Sequence, residues 1–266
     1  MAFDFHKDKE TYIKYQRENA EKYVIPFIEQ SVKLEPNFRV MEIGCAEGGV
    51  LEAFAKLGCQ CVGVELMTTR YERAQKHLSS YIESGQLSLS NKNIYDVNIE
   101  EEYKDRFDLI ILKDVIEHIH DQDKVLDRLR SFLNPNGYIF FGFPPWQMPF
   151  GGHQQIAKSK LLSRLPYYHL LPTFLYRIVL KAFNEPSKTI DDLIEIKETG
   201  ISIERFQRLV KKNKYSILGV EFYLINPIYI YKFGLKPRVQ NKIISNIPYI
   251  RNYLTTCMYY LVKKEK

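Results

Sequence analysis

The sequence predicts an α/β fold: a doubly wound, mostly parallel sheet of seven strands, with an antiparallel last strand and a helical lid insertion. Three observations carry this expectation. Strand-like and helix-like patterns alternate from Arg39 to Phe143 with short connections. The run Phe107-Asp-Leu-Ile-Ile-Leu112 is apolar almost throughout, as a central parallel strand covered on both faces must be. Residues 144–201 then form a 58-residue stretch without strand pattern, and so long a connection inside a compact domain is usually functional. A chain of 266 residues with 45% hydrophobic content is large enough to bury a substantial single core.

Residues 8–31 read as an amphipathic helix with Tyr12, Gln16, Ala20, Tyr23, Val24 and Phe27 toward one face, kinked or ended early by Pro26. Its placement ahead of the first strand suits either a cap over a ligand mouth or a plain packing helix. The first strand is expected at Arg39–Ile43. The following helix carries Val50, Leu51, Phe54 and Leu57 on one face and stops at Gly58, a fitting left-handed terminator. A second strand ends on Glu65. Thr69 with Glu72 forms an expected capping box for a helix running to about Glu83. A third strand at Leu87–Ser90 leads to Asn93-Ile-Tyr-Asp96, and the fourth is the apolar run. A helix with Val125, Leu126, Leu129, Phe132 and Leu133 follows, then a turn at Asn134-Pro-Asn-Gly137 and a fifth strand over residues 138–143. After residue 201, Ser202 caps a helix bearing Ile203, Phe206, Leu209 and Val210. A sixth strand is expected near residues 215–221, then a Pro-punctuated insertion and a last strand near 255–262.

The formal net charge is +6, and the cations crowd toward the end, at Lys232, Lys236, Arg238, Lys242 and Arg251 among others. Such a face is ordinarily just solvated; an anionic or membrane-surface partner is the sharper reading. The 19 Tyr and 16 Phe point to a greasy pocket or interface as well as a core. Cys59 and Cys61 flank Gln60 with the wrong spacing for a zinc knuckle and too little for an ordinary disulfide, so reduced core thiols are expected. The first residues show no charged-then-apolar leader pattern, and no run reaches the ~18 apolar residues of a spanning helix. A cytoplasmic location is the expectation.

The functional core of the sequence is Arg39-Val-Met-Glu-Ile-Gly-Cys-Ala-Glu-Gly-Gly49, an apolar strand breaking into a small-residue turn ahead of a helix. Such turns bring backbone amides close to a nucleotide-type ligand. Gly44-x-Ala46-x-x-Gly49 satisfies the dinucleotide spacing, with Glu65 placed 21 residues after Gly44 to meet a ribose, so a nicotinamide oxidoreductase is one reading. Glu42 argues against it, because an acid at that strand mouth suits an ammonium and sits badly beside a pyrophosphate.

Glu42-Ile-Gly-Cys-Ala-Glu-Gly-Gly49 resembles the first motif of the class I S-adenosylmethionine-dependent methyltransferases, whose sheet is Rossmann-like. Glu65 resembles that family's acid after strand two, and Asn93-Ile-Tyr-Asp96 its acid after strand three. Asp108-Leu-Ile-Ile-Leu-Lys-Asp-Val-Ile-Glu-His-Ile119 is similar to the strand-four motif of the small-molecule branch, including the ubiquinone-biosynthesis O-methyltransferases, and Asn134-Pro-Asn-Gly-Tyr-Ile-Phe141 completes the ordered set. The resemblance covers about residues 39–143 and the final strand pair. Length, pattern and this resemblance together give the expectation of one domain over 1–266: a cap at 1–34, a cofactor-binding core at 35–143, a substrate lid at 144–201 and a closing helix and strand pair at 202–266.

The resemblance further implies that Glu42, Gly44, Cys45, Ala46 and Gly48 hold the methionine end of S-adenosylmethionine. Glu65 with Leu66 would meet the ribose hydroxyls, and Asp96, with the backbone near Tyr95 and Val97, the adenine. Lys113 stands where the family's backbone carbonyl meets the cofactor ammonium. For each acid taken alone, a helix cap or a surface charge is the plain alternative.

Methyl transfer from a sulfonium is an in-line displacement, so the protein aligns the acceptor and, for a weakly acidic hydroxyl, removes a proton. Histidine is the natural base near neutral pH. His118, after strand four, and His153, after strand five, are the candidate catalytic residues, ahead of His120 and His169; any of them also reads as a structural or surface histidine. Asp114, Glu117 and His118 at i, i+3 and i+4 would share a helix face and are metal-ligand types. The quinone-type methyltransferases that the sequence resembles carry a related cluster that can bind a divalent ion, but Asp here replaces the longer acid; the plain alternative is that Glu117 and His118 brace the loop, and no metal is expected.

The Tyr, Leu, Phe and Trp content of the lid fits a small, hydrophobic or lipid- or glycan-linked acceptor, with O-methylation favoured, or else a helical cap that only buries itself. Leu170 to Phe183, with Arg177 and Lys181, suits peripheral contact with a membrane interface. Nucleic acid is not expected as acceptor, because Phe143-Pro-Pro-Trp146 follows strand five rather than strand four and no RNA-binding module is visible. A non-catalytic S-adenosylmethionine-binding protein is the reading from another class. The oligomeric state is not specified by these features.

Overall fold

A computed structural model of the protein describes residues 8–103 and 105–265. Residues 1–7, where the cap was expected to begin and where the leader pattern was sought, lie outside the described residues. One sheet of eight strands organises the rest: β1 (Arg39–Ile43), β2 (Gln60–Val64), β3 (Leu87–Ser90), β4 (Phe107–Lys113), β5 (Leu133–Phe143), β6 (Tyr215–Ile225), β7 (Arg238–Val239) and β8 (Cys257–Lys264). Their order is β3-β2-β1-β4-β5-β8-β6-β7. The first five run parallel, and β8 inserts antiparallel between β5 and β6. The expected seven strands are therefore joined by an eighth, β7, antiparallel to β6 at the edge. Two residues directly after Pro237 carry no alternation from which a strand could be read.

Helices cover both faces. α1 (Lys9–Asn19) is capped by the Asp8 carboxylate, which accepts from Thr11 N–H at 3.1 Å. It passes through a π turn over residues 20–24 into α2 (Ile25–Glu29). Pro26 thus neither kinks nor ends the helix at its own position: the ladder has already slipped, and Pro26 opens the next segment, where a missing N–H costs nothing. α3 (Gly49–Lys56) ends before Gly58 at φ +86°. α4 (Thr68–His77) starts one residue before the expected cap, on Met67 without a side-chain cap, so the Thr69–Glu72 box does not form. Leu78 then breaks the run, and α5 (Ser79–Glu83) is separate. α6 (Ile99–Glu102) and α7 (Gln122–Phe132) follow. Asn134-Pro-Asn-Gly137 does not separate helix from strand. It lies within β5 as an irregularity opposite Phe107 and Leu109.

Within the lid, α8 (Thr173–Ala182) and α9 (Ser187–Thr199) enclose a small core of their own around Tyr168, Tyr176, Leu180 and Leu193. α10 (Ile203–Lys212) is capped by Ser202, whose Oγ accepts from Arg205 N–H. The chain between β6 and β8 makes α11 (Tyr229–Phe233), α12 (Lys242–Ser245) and α13 (Ile250–Leu254).

The two faces of the sheet bury separate clusters. Met41, Ile110, Leu112 and Phe141 pack with α7 and α10; Val40, Ile111 and Phe140 pack with α2 and α3. Phe206 is fully buried, with ring centroids 4.9 Å from Phe141 and 4.8 Å from Phe143. Truncating such a side chain costs about 3–5 kcal/mol, which ties α10 to the middle of the sheet. All four cysteines are free and buried. No helix among the described residues is long and apolar enough to cross a membrane.

Candidate active site

The turn after β1 is built by left-handed backbone. Gly44, Ala46 and Gly48 have φ of +68°, +49° and +85°. Gly44 N–H donates to Val64 O at 2.8 Å and Gly48 N–H to Cys45 O at 2.8 Å, so the loop is held between β1 and β2. A Cβ on Gly44 would meet Val115 Cγ2 at 2.6 Å, and one on Gly49 would meet the Ile13 carbonyl at 2.5 Å. These glycines therefore serve close packing of the chain on itself as well as open backbone at the turn. The cap helix is clamped there by Arg17, whose Nη1 reaches Glu52 Oε1 at 3.1 Å.

Two acids line this turn in different ways. Glu65 is buried; its Oε2 accepts from Ala46 N–H and its Oε1 from Met67 N–H, both at 2.8 Å. It staples the loops after β1 and β2, and each oxygen keeps a second lone pair for a hydroxyl donor. Glu42 is buried with Oε2 lacking any hydrogen-bond partner. Burial pushes its carboxyl well above the ordinary range, against the opposing pull of Lys113. An orphaned buried carboxyl oxygen beside a loop of backbone amides fits a cationic group such as the ammonium of S-adenosylmethionine.

Around the expected adenine position, Asp96 is exposed, Tyr95 half-buried and Val97 buried, so the carboxylate stands at the rim. Leu66, after β2, is 64% exposed. Arg128 of α7, which the sequence pattern did not single out, braces this segment: Nε donates to Ile94 O at 2.9 Å and Nη2 to Val97 O at 2.6 Å. Asn91 likewise donates to the carbonyls of Glu65 and Leu66. No isolated polar residue in a helix or loop announces such a role, because the acceptors lie far away in sequence.

At the end of β4 the ammonium of Lys113 lies 2.5 Å from Asp114 Oδ2. Desolvation works against both charges, although Asp114 itself is exposed where Lys113 is buried, yet the pair prevails, raising the lysine above and holding the aspartate below their ordinary values. Asp114 adopts φ +56° and the next turn, Ile116–His118, is a 3-10 turn. The expected shared face of Asp114, Glu117 and His118 therefore does not form: the left-handed residue turns Asp114 away onto Lys113. The donors that converge are Glu117, His118 and His153, with ligand-capable atoms all within 4.8 Å of one another. Neither oxygen of Glu117 has a partner, and burial, then Asp114, push its carboxyl well upward.

His118 and His153 meet edge to face with ring centroids 4.9 Å apart. Burial holds His153 down to about 4; His118, exposed at the surface, is lowered by partial desolvation against the pull of Asp114. His153 reaches this position from the lid through a left-handed backbone at φ +52°. Asp114 and His153 are two of eight non-glycine residues with positive φ among the described residues, the others including Asn37, Asn184 and Lys214. The other two histidines stand apart. His120 pairs with Glu195 at the surface, 3.1 Å away. His169 is buried in the lid, where Nδ1 accepts from Gln154 and Nε2 donates to Trp146 O. Tyr12 of α1, on the helix expected as a cap, and Tyr229 and Lys232 of α11, whose place here the sequence did not signal, close the same corner: Lys232 lies 5.3 Å from the Tyr12 ring and, with His153, pulls Asp114 downward.

A family model described as methyltransferase domain matches residues 14–163. The chain is 28% identical over 114 residues to the ubiquinone biosynthesis O-methyltransferase of Leptothrix cholodnii, covering 43% of this chain and 47% of that protein. It is 31% identical over 112 residues to the namesake of Nitrobacter winogradskyi, covering 41% and 40%. The match spans about half the length of these curated relatives. In fold it is similar to a solved magnesium protoporphyrin IX methyltransferase from Synechocystis with bound SAM, at TM-score 0.53 and 10% identity over 94% of this chain and 80% of the other.

Sheet order, glycine turn and paired acids together define a Rossmann-like methyltransferase fold. The chain belongs to the methyltransferase domain family, in its class I, S-adenosylmethionine-dependent division. That membership decides between the two cofactors the turn admits, in favour of S-adenosylmethionine.

Proposed function

We propose that this protein transfers the methyl group of S-adenosylmethionine to a hydroxyl of a small, hydrophobic or lipid- or glycan-linked acceptor. The observation that carries the reading is the pair His118–His153, which sits where the lid meets the carboxyl edge of β4 and β5. When bound, S-adenosylmethionine supplies an electrophilic methyl on a sulfonium. Glu42 pairs with the ammonium of the methionine end, together with backbone of Gly44, Cys45, Ala46, Gly48 and the carbonyl of Lys113. Glu65 accepts the ribose hydroxyls while holding both loops, beside Leu66, and the Tyr95–Val97 segment, with Asp96 at the rim, meets the adenine. A neutral imidazole of His118 or His153 takes the proton of the acceptor hydroxyl; burial holds His153 down to about 4, and desolvation pushes His118 in the same direction. The relatives named for ubiquinone biosynthesis O-methylation support an oxygen acceptor of quinone type. The deciding experiment is transfer of labelled methyl from the cofactor into lipid, quinone and glycan fractions of a cell extract. Labelling of none of these, with S-adenosylhomocysteine still bound, would favour a non-catalytic binding protein.

A second reading is favoured by one observation, the two unpartnered oxygens of buried Glu117 facing two imidazoles. These residues fit a divalent cation, which would orient the acceptor oxygen and favour its ionised form. Calorimetry with Mn2+ or Zn2+ alone tests it: micromolar binding lost in Glu117→Gln supports the cation, and no heat from either metal leaves the histidine-base reading.

A further inference from the structure

The segment between β6 and β8 is unlike the rest of the surface. No Asp or Glu occurs between Glu221 and Glu265, whereas Lys232, Lys236, Arg238, Lys242 and Arg251 all fall in the insertion itself. Its large apolar side chains face outward: Ile243 is 74% exposed, Tyr249 70%, Val239 54% and Ile250 53%. Scattered exposed hydrophobics need no explanation, but a contiguous stretch of them marks an interaction surface.

The exposure is held in place by polar anchors. Arg251 Nε donates to Glu204 Oε1 at 2.9 Å, and Asn252 Nδ2 donates to Glu204 Oε2 at 2.6 Å, while the Asn252 carbonyl oxygen accepts from Ile203 N–H at 2.8 Å. Gln240 donates to Leu254 O at 2.6 Å, closing the ends of the α12–α13 segment. The segment is thus pinned to α10 by its amides and guanidinium, and Ile243, Tyr249 and Ile250 stay outside a fixed frame. Tyr167 of the lid donates to Tyr253 O at 2.9 Å, which joins this frame to the acceptor side of the molecule.

We propose that residues 230–254 dock on an anionic lipid surface, inserting the α12–α13 apolar side chains at the headgroup level while Lys236, Arg238 and Lys242 meet lipid phosphates. Charge selects this occupant. An isologous pairing of two copies would set the same cations against each other, since the segment carries no acid and neighbouring Glu204 is already held by Arg251 and Asn252. An anionic bilayer supplies opposite charge over a whole plane and an apolar layer beneath it, which amphipathic surface segments require. The lid's α8 also exposes Phe174 and Ile178, but acids of α9 lie beside it, and Arg177 is 3.8 Å from Asp191. The membrane contact that the lid composition suggested is therefore better matched by the insertion.

The full chain should co-sediment with unilamellar vesicles containing phosphatidylglycerol and not with pure phosphatidylcholine. Lys236→Glu with Lys242→Glu, and separately Ile243→Ser with Ile250→Ser, should each weaken that binding about tenfold or more without lowering affinity for S-adenosylhomocysteine, which also reports that the variants fold. Failure to bind phosphatidylglycerol vesicles, or binding unchanged in both double variants, would overturn the proposal. So would a dimer seen by light scattering that the isoleucine variant dissociates, which assigns the face to a second copy, or binding to poly-glutamate in preference to vesicles, which assigns it to an acidic polypeptide.

Discussion

The two halves proposed for this site, one for the cofactor and one for the acceptor, are built on opposite plans. On the proposed cofactor side the acids lie on consecutive strand ends, and Glu65 holds the backbone amides of Ala46 and Met67 within a short span of chain. On the acceptor side four separate segments meet: Tyr12 from α1, Glu117 and His118 after β4, His153 from the lid, and Tyr229 with Lys232 from α11. A ligand shared by a whole family can be held by a local motif, whereas an acceptor particular to one member is met by the variable connections leaving the same sheet edge.

That contrast is tested most severely at His153. His153→Ala should lower kcat by about 100-fold or more, with S-adenosylhomocysteine affinity by calorimetry unchanged; a matching loss of cofactor affinity would mean that the two halves are not separate. Glu65→Ala should do the reverse. Losing charge-assisted bonds to two loops should weaken cofactor binding by about 100-fold and lower the melting temperature, and undiminished affinity would sink the assignment of the ribose site.

The lid offers a pH test. Burial holds His169 down to about 4 while the unfolded side chain titrates near 6.5. Between these values the unfolded chain binds the extra proton, so stability is complete above about 6.5 and falls as pH drops toward 4, by about 1.4 kcal/mol per pH unit. Trp146, the single tryptophan, lies 5.1 Å from His169 and should report this through its emission. A fluorescence midpoint near 6.5 in the folded protein would show that His169 is not held neutral. The smallest effect is expected at Arg128→Met, which frees the carbonyls of Ile94 and Val97. Cofactor affinity should weaken about tenfold with the acceptor KM unmoved; a changed acceptor KM would blur the division.

Legibility follows the same line. The alternation from Arg39 to Phe143, the Gly58 stop and the Ser202 cap could be read because periodicity and local hydrogen bonding decide them. The Thr69–Glu72 box failed because Glu65 already holds Met67 N–H and starts α4 a residue early. The supposed turn at residues 134–137 became part of β5 because Phe107 and Leu109 of β4 pair across it. In the candidate site, Asp114 was grouped with Glu117 and His118 on helical spacing, and its left-handed backbone undid that grouping.

By itself the sequence determined the doubly wound sheet, the glycine turn and the ordered acids, since each depends on neighbours within one strand–turn–helix unit. The tertiary structure alone decided which histidines meet, that Arg128 and Asn91 brace the loops, and that the α12–α13 segment keeps its isoleucines outside. Those outcomes depend on side chains brought together from positions far apart in the chain, where no periodicity connects them and only the packing of the whole sheet sets the distances.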